Sequence, residues 1–166
     1  MARNADDILI GGGKVYIGDS SGSNFEELGW LSGEIKLEEQ GSPLVVKESE
    51  GGTVLTLNLD KEVHFTFNLL DVNLDTLQKL NPSMGGIVLT DQTYPVKFEH
   101  TKRSGAKRVI NIFKGKVSGN FTALLLNQDN ASPIPVDIIA IADDSKTDKA
   151  HNIYTITETP AEGGNG

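Results

Sequence analysis

The segment from Gly18 to Gly22, Gly-Asp-Ser-Ser-Gly, matches the G-x-S-x-G pattern, in which a serine at a sharp turn acts as a nucleophile. That chemistry requires a strand that turns directly into a helix and presents the serine hydroxyl above a parallel sheet. Residues 15–17 have the composition of a strand, but residues 23–26 do not begin a helix. Because the activating context is missing, we predict that the protein is not an enzyme.

Three other patterns could bind ligands, and each lacks an essential feature. Residues 11–14, Gly-Gly-Gly-Lys, have neither the spacing of a phosphate-binding loop nor the Ser or Thr that follows its lysine. The three histidines have no companions at metal-ligand spacing, and we expect His64 to be an ordinary exposed side chain. Asp143, Asp144 and Asp148 do not have the spacing of a calcium loop. The sequence therefore predicts no metal-binding site and no site for another cofactor.

The composition argues against several classes of protein. The chain of 166 residues contains no cysteine, so it has no disulfides or thiolate metal sites. Its net charge of -8 argues against stable binding to nucleic acid, because phosphate contacts require clustered Lys and Arg. No segment approaches the ~20 apolar residues of a membrane helix, and the N-terminal apolar run is too short for a signal peptide. We therefore expect no membrane partner.

One basic cluster contrasts with the acidic composition. Lys102 and Arg103 precede a Ser-Gly-Ala segment, and Lys107 and Arg108 follow it. We favour a solvated turn between two strands, because charges at strand ends usually lie at the surface. The alternative is a docking point for an acidic partner.

The segments around these motifs are mostly strands with a period of two. In residues 62–69 every second side chain is apolar, which predicts one apolar face and one polar face. Residues 34–38 and 53–59 repeat the alternation. Residues 134–142 are almost continuously apolar, as expected of a strand that is covered on both faces. Further strands are predicted at residues 14–17, 96–100, 109–113 and 152–156.

A single helix is predicted directly after residues 62–69. Leu74, Leu77 and Leu80 have helical spacing, Asn73 is suited to cap the first turn, and Pro82 ends the helix. We expect the leucines to pack on the apolar strand residues Ile35, Phe65, Phe67 and Leu69. The predicted fold is mainly β, with two packed antiparallel sheets in a sandwich or barrel, one flanking α-helix and a long protruding hairpin.

The protruding hairpin is predicted over residues 41–59. Its first arm has three consecutive apolar residues, Leu44, Val45 and Val46, which a single buried face cannot hold. A hairpin that is apolar on both faces needs cover on both, and one small domain does not supply it. We predict a single domain over residues 1–166, with a flexible arm at 1–13 and a loose tail at 159–166.

Several segments in order carry a family resemblance. Residues 15–18 (Val-Tyr-Ile-Gly), 27–30 (Glu-Leu-Gly-Trp) and 32–37 (Ser-Gly-Glu-Ile-Lys-Leu) are followed by the hairpin, a strand and the helix. The chain closes with Pro-Ile-Pro-Val-Asp and Ala-Ile-Ala-Asp-Asp within residues 133–144. This order resembles that of the tail tube (major tail) proteins of long-tailed bacteriophages, although the arm before Gly13 and the loop 127–132 do not match.

The resemblance implies a structural subunit of six-membered rings. The rings stack head to tail into the tail tube, the channel through which DNA passes into the host. Other expected partners are the tail initiation or baseplate, tape-measure and terminator proteins, with DNA in the lumen only transiently and without specific binding. The expected location is the tail of the virion, assembled in the cytoplasm of the bacterial host.

The resemblance also implies two sets of functional residues. An acidic lumen with Lys36 as its exception would repel DNA phosphates at short range. The expected lumen-lining residues are Glu34, Lys36, Glu38, Glu62, His64, Thr66 and Asn68. The expected contacts between rings are Leu44, Val45, Val46, Lys47, Glu48, Gly51 and Gly52.

Two alternatives belong to other functional classes. One is a ring-forming tube or effector-carrier protein of a contractile secretion or injection system, a class whose fold resembles that of the tail tube proteins. The other is an unrelated β-sandwich binding module, for example for carbohydrate. The single tryptophan, Trp30, and the aromatic content of 6% disfavour the module, because sugar-binding platforms need exposed aromatic faces.

Overall fold

The computed structural model describes residues 12–19, 21–47, 51–70, 73–86, 92–130 and 132–161. These residues form eight strands and one α-helix, and a short 3-10 turn, Lys149–His151, precedes the last strand. The elements in chain order are β1 (Lys14–Gly18), β2 (Phe25–Glu27), β3 (Leu31–Lys47), β4 (Thr53–Leu69), α1 (Leu74–Leu80), β5 (Tyr94–Thr101), β6 (Lys107–Val117), β7 (Ile134–Ile141) and β8 (Tyr154–Thr159). Within these ranges no helix is both long enough and apolar enough to span a membrane.

The eight strands form one antiparallel sheet, in which seven follow the order β2-β1-β5-β6-β7-β4-β3 and the eighth, β8, pairs with β6 outside this order. β8 pairs with the first part of β6, and β7 pairs with its end. The predicted mainly β class, the antiparallel pairing and the single helix are confirmed. Among the described strands the sheet is continuous and does not close, so a division into two sheets, or a closed barrel, is not confirmed.

The sheet curves around one apolar core. The rings of Phe65 in β4 and Phe98 in β5 lie 5.8 Å apart between centroids, although β6 and β7 separate these strands in the sheet. The hydroxyl of Tyr154 in β8 likewise donates a hydrogen bond of 2.7 Å to Glu39 in β3. Both contacts bring strands together that are not neighbours, which encloses the apolar face of β4.

The alternation in β4 is confirmed by burial. Val63, Phe65, Phe67 and Leu69 are buried, and the residues between them are not. β7 alternates as well, because its buried residues are Ile134, Val136, Ile138 and Ala140, whereas the side chains between them are half-buried or exposed. The expectation that β7 is covered on both faces is therefore not met in the single chain.

Helix α1 begins and ends where the sequence predicts. The Asn73 side-chain oxygen accepts a hydrogen bond of 2.8 Å from the backbone N–H of Thr76, as expected of an N-cap. Leu80 is buried and Leu77 is half-buried, but Leu74 is 60% exposed, which contradicts its predicted core position. Thr76 occupies the buried face together with Leu80, because residues four apart share a face and Leu74 lies about 200° around the axis from Thr76.

The predicted hairpin 41–59 is the outer part of a longer hairpin. β3 and β4 are each 17 residues long, and their pairing continues past Gln40 and Ser42 with only a register shift. β7 pairs with β4 only from Val63 onward, so within the described residues the outer part has no third strand. Residues 41–47 are all exposed. The hairpin therefore projects about 20 Å beyond the sheet, at about 3.3 Å per residue.

Most of the two predicted terminal segments lies outside the described residues. These parts are residues 1–11 of the predicted arm and residues 162–166 of the predicted tail. At the end of the arm, the carbonyl of Gly12 lies 2.8 Å from Nδ1 of the buried His100. Thr159, the first residue of the predicted tail, still pairs with Lys107 as the end of β8.

Candidate functional site: a polar sheet face and a hairpin tip

Asp19, Ser21 and Gly22 of the G-x-S-x-G segment lie between β1 and β2. The Asp19 carboxylate accepts hydrogen bonds from the Ser21 backbone N–H at 3.0 Å and from the Asn24 amide at 2.8 Å. Hydrogen bonds from the Ser21 hydroxyl and from Asn24 lower the pKa of Asp19 to about 2. A strand follows the loop, so the strand-to-helix turn that activates a serine is missing here, and Ser20 lies outside the described residues.

Acidic and histidine side chains do not assemble into a metal site anywhere in the described ranges. The Asp143 carboxylate instead accepts hydrogen bonds from the Ser145 hydroxyl and backbone N–H, at 2.8 and 3.1 Å, and it lies 3.2 Å from the Lys114 ammonium. Hydrogen bonding by Ser145 is the main reason that the pKa of Asp143 is lowered.

The side chains predicted to line a lumen lie together on the face of β3 and β4 that points away from the core. Lys36 is directly opposite Thr66, and Glu38 is directly opposite His64, and opposite residues of an antiparallel pair share a face. Glu34 lies at a register shift but lines the same cavity, of about 410 Å³, as Thr66 and Asn68. We name this surface the polar face; its seven predicted residues are Glu34, Lys36, Glu38, Glu62, His64, Thr66 and Asn68.

The polar face continues onto β7 and β6 with residues that the sequence prediction missed. Asp137 is opposite Thr66, and Ile139 is opposite both His64 and Lys116. Lys114 is opposite Ile141 on the same face. β6 therefore adds two lysines to this face, beyond Lys36 on the strands that the sequence prediction named. The alternation of β7 is the feature of the sequence that could have identified Asp137.

His64 lies between two carboxylates. Its Nδ1 is 2.9 and 3.0 Å from the two oxygens of Asp137, and its Nε2 is 3.3 Å from Glu62. The side chain is 16% exposed, so the expectation of an ordinary exposed histidine is wrong. The hydrogen bond with Asp137 is the main cause that raises the pKa of His64, and it outweighs the opposing effect of burial. In the protonated ring both nitrogens donate, which joins β4 to β7.

The raised pKa of His64 predicts that His64 stabilises the fold more at low pH than at high pH. A group whose pKa is raised by folding contributes its full stabilisation below its unfolded pKa, about 6.5, and loses it as the pH rises through the folded value. The difference in free energy of unfolding between the native protein and His64→Gln should therefore be larger at about pH 6 than at about pH 8.5. Urea unfolding at both pH values measures this difference.

An NMR titration of His64 provides the control. Because Asp137 is the main cause of the shift, Asp137→Asn should lower the pKa of His64 toward its ordinary value. An unchanged titration midpoint in Asp137→Asn would contradict the assigned cause.

The end of the β3–β4 hairpin exposes apolar side chains on both of its faces. Leu44, Val45 and Val46 are each more than 40% exposed, as is Leu55 on the facing strand. Leu44 and Val46 point to one face and Val45 to the other, because side chains alternate along a strand. Lys47, Gly51 and Gly52 are also exposed, whereas Glu48 lies outside the described residues. We name residues 41–47 and 51–55 the hairpin tip.

A second apolar surface lies at the opposite end of the sheet, and the sequence prediction missed it. Residues 120–130 form no strand or helix, and Leu124, Leu125 and Leu126 are exposed. A cleft of about 440 Å³, which we name the leucine cleft, is lined by Leu70, Leu77, Ala123, Leu124, Leu125, Leu126, Asn127, Asn130, Ser132 and Ile134. The run of three leucines outside any alternating segment is the feature of the sequence that indicates this surface.

The basic cluster is partly neutralised within the chain. The Lys102 ammonium is buried, 2.8 Å from the carboxylate of Glu158, and Arg108 bonds the same carboxylate. The hydrogen bond from Lys102 is the main cause that lowers the pKa of Glu158, and the hydrogen bond from Arg108 comes next. Arg103 and Lys107 are exposed, as expected of a solvated turn, but the buried Lys102 does not fit that expectation.

No known protein family matches the chain by its family model, and no characterised protein matches its sequence. The functional assignment therefore rests on the polar face and the hairpin tip.

Proposed function

We propose that the protein is a structural subunit of a tail tube, built from stacked hexameric rings through which phage DNA passes. The observation that carries this proposal is the hairpin tip, which is apolar and exposed on both faces. A two-stranded hairpin in water is marginally stable by itself, and exposed apolar residues in contiguous groups mark interaction surfaces. A neighbouring copy of the chain supplies the missing cover.

The open edge of the sheet supports assembly within a ring. β3 is a terminal strand of 17 residues, and an edge of this length is a template for pairing with another chain. The other edge strands are shorter: β2 has three residues, two of which are Glu26 and Glu27, and β8, which pairs with β6, has six. Closing identical subunits into a ring covers the β3 edges, which would otherwise promote uncontrolled aggregation.

The polar face is the surface that we propose for the channel wall. It carries the carboxylates Glu34, Glu38, Glu62 and Asp137 together with lysines from β3 and β6. Lys36 lies 2.7 Å from Glu38, and this contact lowers the pKa of Glu38. A wall of paired charges has no large cationic patch that would retain DNA phosphates. The tail initiation or baseplate, tape-measure and terminator proteins are the further partners of this proposal.

One observation favours a second candidate function, a binding module. Trp30 is 75% exposed, so it offers an aromatic face for a ligand such as a sugar. Its backbone carbonyl accepts a hydrogen bond of 2.8 Å from the backbone N–H of Leu70, which places Trp30 beside the leucine cleft.

The effector-carrier ring remains the alternative within the ring-forming class. Such a ring would use the same β3 edge and the same hairpin tip as the tube subunit, and it would differ from the tube in the number of rings in the stack.

Negative-stain electron microscopy of the purified protein, combined with light scattering, tests the proposal. We expect rods of uniform diameter with a central channel and a ring repeat along their length. Isolated rings that do not stack would favour the effector carrier. Monomers at all concentrations would contradict both ring-forming functions and leave the binding module.

A further inference from the structure

We infer that the basic cluster of residues 102–108 binds the carboxylates of Asp6 and Asp7 in the N-terminal arm of the same chain. The acidic partner that the sequence left open for this cluster is then a segment of the protein itself. This inference is independent of the proposed function, since it concerns contacts within one chain.

The described chain begins directly beside the basic cluster. β1 is antiparallel to β5, with Lys14 opposite Glu99, so Gly12 lies at the end of β5 from which the turn starts. The carbonyl of Gly12 accepts a hydrogen bond of 2.8 Å from Nδ1 of His100. A Cβ at Gly13 would lie only 2.6 Å from the carbonyl of Glu99, so this close approach requires glycine. The arm is therefore held against β5 at its exit.

The cluster has more positive charge than the described carboxylates neutralise. Of its four cations, Lys102 and Arg108 share the single carboxylate of Glu158, each at 2.8 Å. The other two, Arg103 and Lys107, are exposed. Three positive charges therefore remain after this pairing.

A buried histidine next to the cluster lacks a partner for one ring nitrogen. His100 is 5% exposed, and within the described ranges its Nε2 is buried without a hydrogen-bond partner. Nδ1 donates to the carbonyl of Gly12, because a carbonyl oxygen only accepts, so the neutral ring leaves Nε2 as a free acceptor. Buried polar atoms without partners are uncommon. His100 is opposite Arg108, so it lies on the same face as the cluster. A further segment with a free N–H is therefore expected here.

The charges of the arm match those left at the cluster. Asp6 and Asp7 are the acidic residues of the arm, and Arg3 is its one basic residue before Gly12. Glu162, which follows the described part of β8 and its end, neutralises at most one of the three remaining charges. Two positive charges stay available for the two aspartates.

The length of the arm favours docking on its own chain. The five residues from Gly12 to Asp7 span at most about 17 Å, at about 3.3 Å per residue, which is enough to reach along the turn. A connection this short raises the effective concentration of the carboxylates at the cluster to the millimolar range. A neighbouring copy in dilute solution cannot compete with that concentration.

Internal crosslinking tests the contact, because the native chain contains no cysteine. A chain with Ala5→Cys and Ser104→Cys is treated with a short bis-maleimide at a concentration at which the protein is monomeric. Ser104 is exposed within the turn. We expect an internal crosslink, identified by mass spectrometry of the digested monomer. The matched control carries Ala5→Cys and Gln128→Cys, because Gln128 is exposed beside the leucine cleft, at the end of the sheet opposite to the turn.

Charge changes distinguish binding from chance encounters of the arm with the turn. Replacing both aspartates by asparagine in the crosslinking variant should slow the internal crosslink by about fivefold, as expected for the loss of two surface ion pairs. Lysine at both positions should slow it further, and Arg103→Glu with Lys107→Glu in the same chain should restore the rate. An unchanged rate with asparagine, or no recovery in the swapped variant, would overturn the inference.

A mixture of single variants tests whether the arm stays on its own chain. Ala5→Cys and Ser104→Cys, in two proteins of different tag length, should give no more covalent pairs than Ala5→Cys mixed with Gln128→Cys. A charge-dependent covalent pair would overturn the inference by assigning the arm to a neighbouring copy. Electron microscopy of the untreated protein reports separately on the proposed function, since rods without charge-dependent internal crosslinking would disprove the docking and leave the tube.

Discussion

Val46→Asp is expected to yield a folded subunit that does not form tubes. Val46 lies at the hairpin tip and is 42% exposed in the single chain, so the fold tolerates a carboxylate there. In the proposed tube the same position would be covered, and burying an unpaired carboxylate there would cost several kcal/mol. A loss of about 3 kcal/mol per contact weakens each stacking step more than about 100-fold. Deleting residues 45–53 should have the same effect by removing the tip.

Sedimentation and electron microscopy measure the assembly, and urea unfolding measures the fold. We expect Val46→Asp to unfold at the same urea midpoint as the native subunit and to remain in the supernatant. Ile156→Asp, an apolar-to-acid change at an exposed position outside the tip, should still assemble. Tubes of normal diameter and length from the deletion variant would exclude the hairpin as the stacking element.

Phe67→Ala is expected to destabilise the subunit by about 3–5 kcal/mol. Phe67 is buried, and its ring centroid lies 5.3 Å from that of Phe65, at the centre of the enclosed core. Removing the ring loses apolar burial and leaves a cavity that the surrounding strands only partly fill. Urea unfolding at a concentration at which the protein is monomeric gives the free energy directly.

Leu124→Ala is the matched control for the core prediction. Leu124 is exposed in the leucine cleft, so its truncation should change the stability of the monomer by less than about 0.5 kcal/mol. A loss below about 1 kcal/mol for Phe67→Ala would instead place Phe67 outside the core.

The sequence alone determined the local structure of this protein. The period of two in residues 62–69 correctly predicts which side chains of β4 are buried, because a strand has only two faces and burial selects one of them. Asn73 predicts the start of the helix, since its side chain can satisfy a free N–H of the first turn. The apolar run Leu44 to Val46 predicts an exposed apolar hairpin.

The tertiary structure alone decided which distant residues meet. His64 contacts Asp137, which is 73 residues away, and Lys102 is buried against Glu158. A period identifies the faces of a strand, but the neighbour of that strand depends on the path of the whole chain. The position of Leu74 depended likewise on how the core orients a helix of only two turns. The leucine cleft exists because an irregular loop returns to the end of β4, and no local pattern encodes that return.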